Sequence, residues 1–162
     1  KVVLIMLGSM GFGKILELLK DLENEKYKII TICGSNKKLL SEIKNANFKN
    51  VIPLGFIKNI NDYIYSSDII VSKPGGLSTT EIAAMRKPLI HIFPIPGIET
   101  YNTNFFESHH MSIKCMKNEE IKEAINTLFK NQNLQNEIIE NQKKYINNYS
   151  ARDLVELIKE NF

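Results

Sequence analysis

Short, unbroken apolar runs alternate along this chain with stretches whose apolar residues recur every third or fourth position. The runs fall at 2–7, 27–33, 51–54, 68–72 and 88–93, with a weaker one at 112–116. They are rich in Ile and Val and lack strict apolar/polar alternation, the pattern of strands covered on both faces. Between them the spacing predicts helices over 14–24, 37–46, 59–65, 78–85 and 101–110. Beyond Met116 the pattern is helical throughout. Ile121, Ala124, Ile125, Leu128 and Phe129 share one face, and further helices are predicted over 134–147 and 151–161. Strands joined by helical crossovers imply an α/β fold: a doubly wound parallel sheet of about six strands, followed by carboxyl-terminal helices. Such sheets bind ligands beyond the carboxyl ends of their strands. Candidate chemistry therefore belongs to the loops after Leu7, Leu54, Ser72 and Phe93.

The 162 residues suit one domain with a proper core. No internal repeat or low-complexity linker interrupts it. No apolar run reaches the ~18 residues of a membrane span, and no signal-peptide pattern opens the chain. It starts at Lys1 rather than Met, and is read as a piece of a longer protein. The formal charge of +3 is small and the Lys residues are scattered, which argues against a nucleic-acid partner. Cys33 and Cys115 sit beside apolar residues with no CxxC or His partner. They are expected to be reduced core residues of a cytoplasmic protein.

The first candidate site is "LGSMGFGKIL", where an apolar run meets Gly8, Gly11 and Gly13 ahead of a helical pattern. It is one residue short of the triphosphatase P-loop, because Ile15 stands where a metal-coordinating Ser or Thr is needed. None of the four Asp residues, Asp21, Asp62, Asp68 and Asp153, ends an expected strand, so no metal-supporting Asp is in place either. A dinucleotide site needs G-x-G-x-x-G and an acid at the end of the second strand. Here the glycines are spaced differently and that strand ends in Cys33-Gly34-Ser35. What remains is a glycine turn at a helix N-terminus. It is either a phosphate cradle or a plain strand-to-helix turn.

The stretch from Ser67 to Phe106 carries more. Gly75-Gly76 opens a second helix after a strand, and Ser78-Thr79-Thr80-Glu81 reads as a capping box. Glu81 is either that cap partner or a carboxylate able to hold a ribose diol. Pro94-Ile95-Pro96-Gly97 is a stiff turn that aims Ile98 and Glu99. Glu99 either favours the next helix's dipole or holds sugar hydroxyls, and Asn102 lies three residues on, on the same helical face.

These blocks resemble the donor-binding motifs of glycosyltransferase family 28, G-G-[LIV]-[ST]-x-x-E followed by P-x-P-G-Q-E-x-x-N-x-x-F-[FLV]. "ICGSNKKL" and "LGFIKNINDYIYSSDIIVSKPGG" look like the same family, and the likeness covers most of residues 2–130. It is strongest to the processive diacylglycerol glucosyltransferases and monogalactosyldiacylglycerol synthases. The resemblance implies a Rossmann-like, carboxyl-terminal donor domain, one half of a GT-B fold, with the amino-terminal acceptor domain outside this chain. By the same resemblance Gly8, Ser9 and Gly11 lie against the donor diphosphate. Phe56 and Ile57 bracket the uracil, and Glu81 is the ribose acid. The turn at Gly75, Gly76, Ser78 and Thr79 lies beside the phosphates. Gly97, Ile98, Glu99 and Asn102 stand on the sugar side. Ile98 replaces the family's Gln, which leaves the hexose open.

The resemblance further implies an inverting transfer from a UDP-sugar, UDP-glucose or UDP-galactose, to a diacylglycerol-type lipid. The enzyme would be peripheral at the inner face of the membrane. No cofactor or metal is expected, since the chain has no Asp-x-Asp and adjacent His109 and His110 point ~100° apart on a helix. No catalytic residue is assigned, and the fragment alone is expected to be inactive. His91, inside a strand, reads as a satisfied core or rim histidine. Lys73 and the Arg86-Lys87 pair either neutralise phosphates or sit in solvent. A non-catalytic nucleotide-sugar-binding module is the alternative, and a preceding α/β domain of about 170–200 residues would separate the two. A same-fold epimerase would need further acid/base carboxylates, and few are present.

Overall fold

The computed structural model describes residues 1–6 and 15–161. The glycine turn at 7–14, with Gly8, Ser9 and Gly11, lies outside the described residues, as does the side chain of Ile98. Six strands form one parallel sheet: β1 (Val2–Met6), β2 (Lys28–Ile32), β3 (Val51–Leu54), β4 (Ile69–Ser72), β5 (Leu89–Ile92) and β6 (Ile113–Cys115). Their order is β3-β2-β1-β4-β5-β6. β1 is central, with Leu4 level with both Ile30 and Ile70. The sequence order reverses between β1 and β4, so the topological switch point lies there.

The helices are α1 (Ile15–Asp21), α2 (Lys37–Ala46), α3 (Ile60–Ser66), α4 (Gly76–Ala84), α5 (Ile98–Ser108), α6 (Asn118–Lys130), α7 (Gln132–Tyr145) and α8 (Ser150–Asn161). Side chains alternate across each strand, and the sheet is apolar on both faces. Val3, Ile5, Ile29, Val71, Ile90 and Ile92 belong to a core with α1, α2 and α6. Leu4, Ile70 and Leu89 belong to a second core with Ile64 of α3, Ile82 and Ala83 of α4, and Phe106 of α5. Full burial of such side chains contributes on the order of 1.5–3 kcal/mol each. Both cysteines are free and buried.

Four helices begin earlier than the spacing predicts, α4, α5, α7 and α8, and at the first two the difference bears on function. α4 starts at Gly76 rather than at Ser78, with Gly75 as its N-cap and no side-chain cap bond. The expected capping box does not form, because Ser78 is already in the first helical turn and Glu81 in the second. The Thr80 hydroxyl turns back to the carbonyls of Gly76 and Leu77 instead. α5 starts at Ile98, directly after the Gly97 turn, so Glu99 is a first-turn residue.

Candidate functional site

The carboxyl ends of β1, β2 and β4, at Met6, Ile32 and Ser72, floor a cavity of about 380 Å³. It sits at the switch point. Phe56, Ile57 and Ile60, which follow β3, line one side. Lys73, Gly75, Ser78 and Glu99 line the other, and Gly34-Ser35 close the edge after β2. Phe56 is an aromatic ring left 74% exposed at the cavity's rim.

The wall at Gly75 is the N-terminal end of α4. A helix start leaves its first N–H groups without intrahelical partners, and no side chain caps this one. The turn before it is held from behind. Asn102 Nδ2 donates to the Pro74 carbonyl at 2.8 Å, and the Thr79 N–H donates to the Gly75 carbonyl at 3.0 Å. The fold itself does not demand glycine here. Gly75 has φ −69°, a value open to any residue, and a Cβ on it would meet Glu99 Oε1 no closer than 4.0 Å. A Cβ on Gly76 would meet Asn102 Nδ2 at 4.0 Å, again ordinary contact. Bare backbone at an uncapped helix start, with no internal steric reason for it, is what close approach of an anion requires.

Glu99 joins the same wall from the first turn of α5. Its Oε2 accepts the Ile95 N–H at 2.6 Å, bracing the Pro94–Gly97 turn, while Oε1 faces Gly75. Gly97 has φ +102°, a conformation that glycine alone adopts readily. It turns the chain sharply enough for α5 to begin at the next residue. The negative first-turn charge also suits the α5 dipole.

The other sequence-derived candidates divide. Glu81 lies exposed on α4 and is not among the residues lining the cavity. Asn102 supports the Pro74 turn without lining the cavity. Thr79 requires a correction. Its side chain is 1% exposed and its hydroxyl lies 3.2 Å from His91 Nε2 in the core, so the side chain does not line the cavity. His91 is itself fully buried. Its Nδ1 lies 3.0 Å from the Ser112 hydroxyl, and burial drives its pKa down to about 3. Arg86 and Lys87 are half-buried and do not line the cavity. Arg86 donates to the carbonyls of Gln142 and Ile146, and Lys87 to those of Tyr65 and Ser67. Both stand just beyond the carboxyl end of α4, away from the cavity. Burial pushes the Cys115 thiol up to about 12, with Glu120 and Glu123 adding to the effect, and raises Cys33 as well. Neither thiol is poised as a nucleophile. Among the described residues no three His, Cys, Asp or Glu side chains converge.

Motif reading passed over Met6, Ile32, Ile60 and Ser72, which form much of the cavity's floor and side. Their signal was positional: Met6 and Ser72 end the two strands that flank the switch point, and Ile32 ends the strand beside β1.

Comparison with known proteins agrees with this architecture. Processive diacylglycerol beta-glucosyltransferase of Bacillus subtilis (strain 168) is 32% identical over 166 residues, covering 99% of this chain and 44% of that protein. The chain thus spans less than half the length of that relative. The crystal structure of MurG from Acinetobacter baumannii superposes with a TM-score of 0.74 at 20% identity, covering 98% of this chain and 52% of that one. Os79 from O. sativa in complex with UDP gives 0.70 at 18% identity, covering 88% and 34%. These two likenesses concern the fold, a Rossmann-like half of the GT-B arrangement. Residues 2–158 match the model of the glycosyltransferase family 28 C-terminal domain, and the chain belongs to that family.

Proposed function

We propose that the chain is the donor-binding domain of an inverting glycosyltransferase that moves a hexose from a UDP-sugar, UDP-glucose or UDP-galactose, to a diacylglycerol-type lipid. One observation carries the reading: an uncapped helix start forms a wall of the switch-point cavity, with Gly75 and Ser78 lining it, Gly76 between them, and neither glycine required sterically. The diphosphate lies against Gly75 and Gly76, where the α4 N–H groups and dipole offset its charge. The base lies by the Phe56–Ile57 backbone. Glu99 Oε1 accepts from sugar hydroxyls, beside the bond that holds Oε2. The lipid acceptor is inferred from the name of the Bacillus subtilis relative, and the nucleotide agrees with the UDP held by Os79.

In the reaction the acceptor hydroxyl attacks the anomeric carbon, the bond from that carbon to the diphosphate oxygen breaks, and UDP departs. This chain's share is to hold the leaving group and offset its growing negative charge with fixed dipoles. A preceding domain supplies the lipid site and the general base, and the whole enzyme works at the inner membrane face.

Calorimetry tests the nucleotide. UDP is expected to bind more tightly than ADP or GDP, because the Phe56–Ile57 backbone at the cavity's side is proposed to offer its polar groups to uracil. Equal or tighter ADP binding overturns the uridine assignment.

A further inference from the structure

His91 is an imidazole set into an apolar core. On β5 it occupies the same face as Leu89, toward α4 and α5, with Phe106 packed edge-on at 5.3 Å between ring centroids. A buried imidazole is costly unless both nitrogens are partnered, and both are, by Thr79 and Ser112. A neutral ring has one donor and one acceptor, and each hydroxyl can serve either role. The two partners differ in where they lead. Ser112 stands at the entry to β6, remote from the cavity. Thr79 is the fourth residue of α4, and its N–H closes the first turn onto Gly75.

The start of α4 needs such a tether. Glycines stand at its N-cap and first position, where they restrain the backbone least, and it lacks a capping side chain. Asn102 holds it from α5 through the Pro74 carbonyl. The bond from Thr79 to His91 is the matching hold from the sheet, and the register sets His91 level with Ser72 on the cavity floor.

We propose that His91 is a positioning residue for the donor site, acting through Thr79 to fix the first turn of α4 against the sheet. The proposal rests on the donor-site reading above. Through its other nitrogen the same ring supports only the fold. Two substitutions therefore each remove one hydrogen bond from one imidazole, yet only one should reach the site.

Thr79→Val and Ser112→Ala are compared in the full chain by thermal melting, UDP calorimetry and hydrogen exchange without ligand. Both are expected to lower the melting temperature. Thr79→Val alone is expected to weaken UDP binding about three- to tenfold, the size of one lost hydrogen bond, and to speed exchange at the amides of residues 76–80. Thr79→Ser, which keeps the hydroxyl, is expected to restore both. Ser112→Ala is expected to bind UDP within about twofold of the parent. Equal effects of Thr79→Val and Ser112→Ala on affinity, or on exchange at 76–80, overturn the positioning role. A parent chain that binds no UDP overturns the donor-site reading, and the exchange contrast then decides the tether by itself.

Discussion

At the scale of single residues, side chains that satisfy the core were easier to read than side chains that face a ligand. Cys33, Cys115 and His91 all have apolar neighbours in sequence, and all are buried. Glu81 and Glu99 look alike in sequence, each a carboxylate shortly after a glycine turn. The structure separates them, because Gly97 turns Glu99 into the cavity while Glu81 stays exposed on α4. Thr79 shows a related limit: three hydroxyls in a row do not reveal which one the helix turns inward. His91 yields a prediction of its own. Burial lowers its folded pKa to about 3, whereas in the unfolded chain it titrates near ~6.5. Between those values the unfolded state binds the additional proton, so stability rises with pH across this window and is lost as pH falls through it. The expected slope is at most about 1.4 kcal/mol per pH unit. Melting curves from pH 7 to 4 on the parent and on His91→Gln check it: the variant should start less stable and lose less on acidification. Parallel losses would mean that His91 does not supply this acid sensitivity.

At the scale of elements, the strands were legible almost to the residue, since a run covered on both faces has sharp polar borders. Val51–Leu54 and Lys37–Ala46 were delimited from the sequence alone. The starts of α4 and α5 were not. Helix propensity disfavours glycine, so the pattern placed both starts downstream, whereas the chain begins them at Gly76 and just after Gly97. These two starts flank the cavity, where local preference is set aside for an exposed backbone, whereas α7, which also begins two residues early at Gln132, does not line it. The element makes a two-signed prediction. Gly76→Ala should raise the melting temperature, because alanine in a helix is favoured over glycine by up to ~1 kcal/mol and its Cβ meets nothing closer than 4.0 Å. The same methyl stands where the diphosphate is proposed to lie, so UDP affinity should fall at least about tenfold, on the order of 1.4 kcal/mol. Melting and calorimetry on one variant read both signs. A stabilised variant with unchanged affinity would remove Gly76 from the phosphate wall.

At the scale of the whole molecule, the β/α alternation was enough to predict the parallel sheet, and the strand order followed the usual doubly wound reversal. In the sequence no catalytic residue is assigned and spare acid/base carboxylates are few; which of them reaches the cavity took the structure. Among the described residues lining it, Glu99 is the sole carboxylate, and its Oε2 is held by the Ile95 N–H at 2.6 Å. His91 is sealed in the core. A carboxylate fixed to its own turn is suited to accept from a sugar hydroxyl. It is poorly placed to swing toward an incoming acceptor and take its proton, which general base catalysis requires within hydrogen-bond reach. The division of labour proposed above follows: this chain holds donor and leaving group, and a preceding domain activates the acceptor. The chain alone should therefore bind UDP-glucose or UDP-galactose and transfer neither to diacylglycerol, while a longer protein carrying the preceding domain should transfer one of them. If helix dipoles offset the diphosphate charge, affinity for UDP should be nearly equal in EDTA and in Mg²⁺. Transfer by the chain alone would place the base on this side of the cleft, with Glu99 the first residue to test. A tenfold gain in UDP affinity with Mg²⁺ would instead hand the leaving group to a cation and take it from the start of α4.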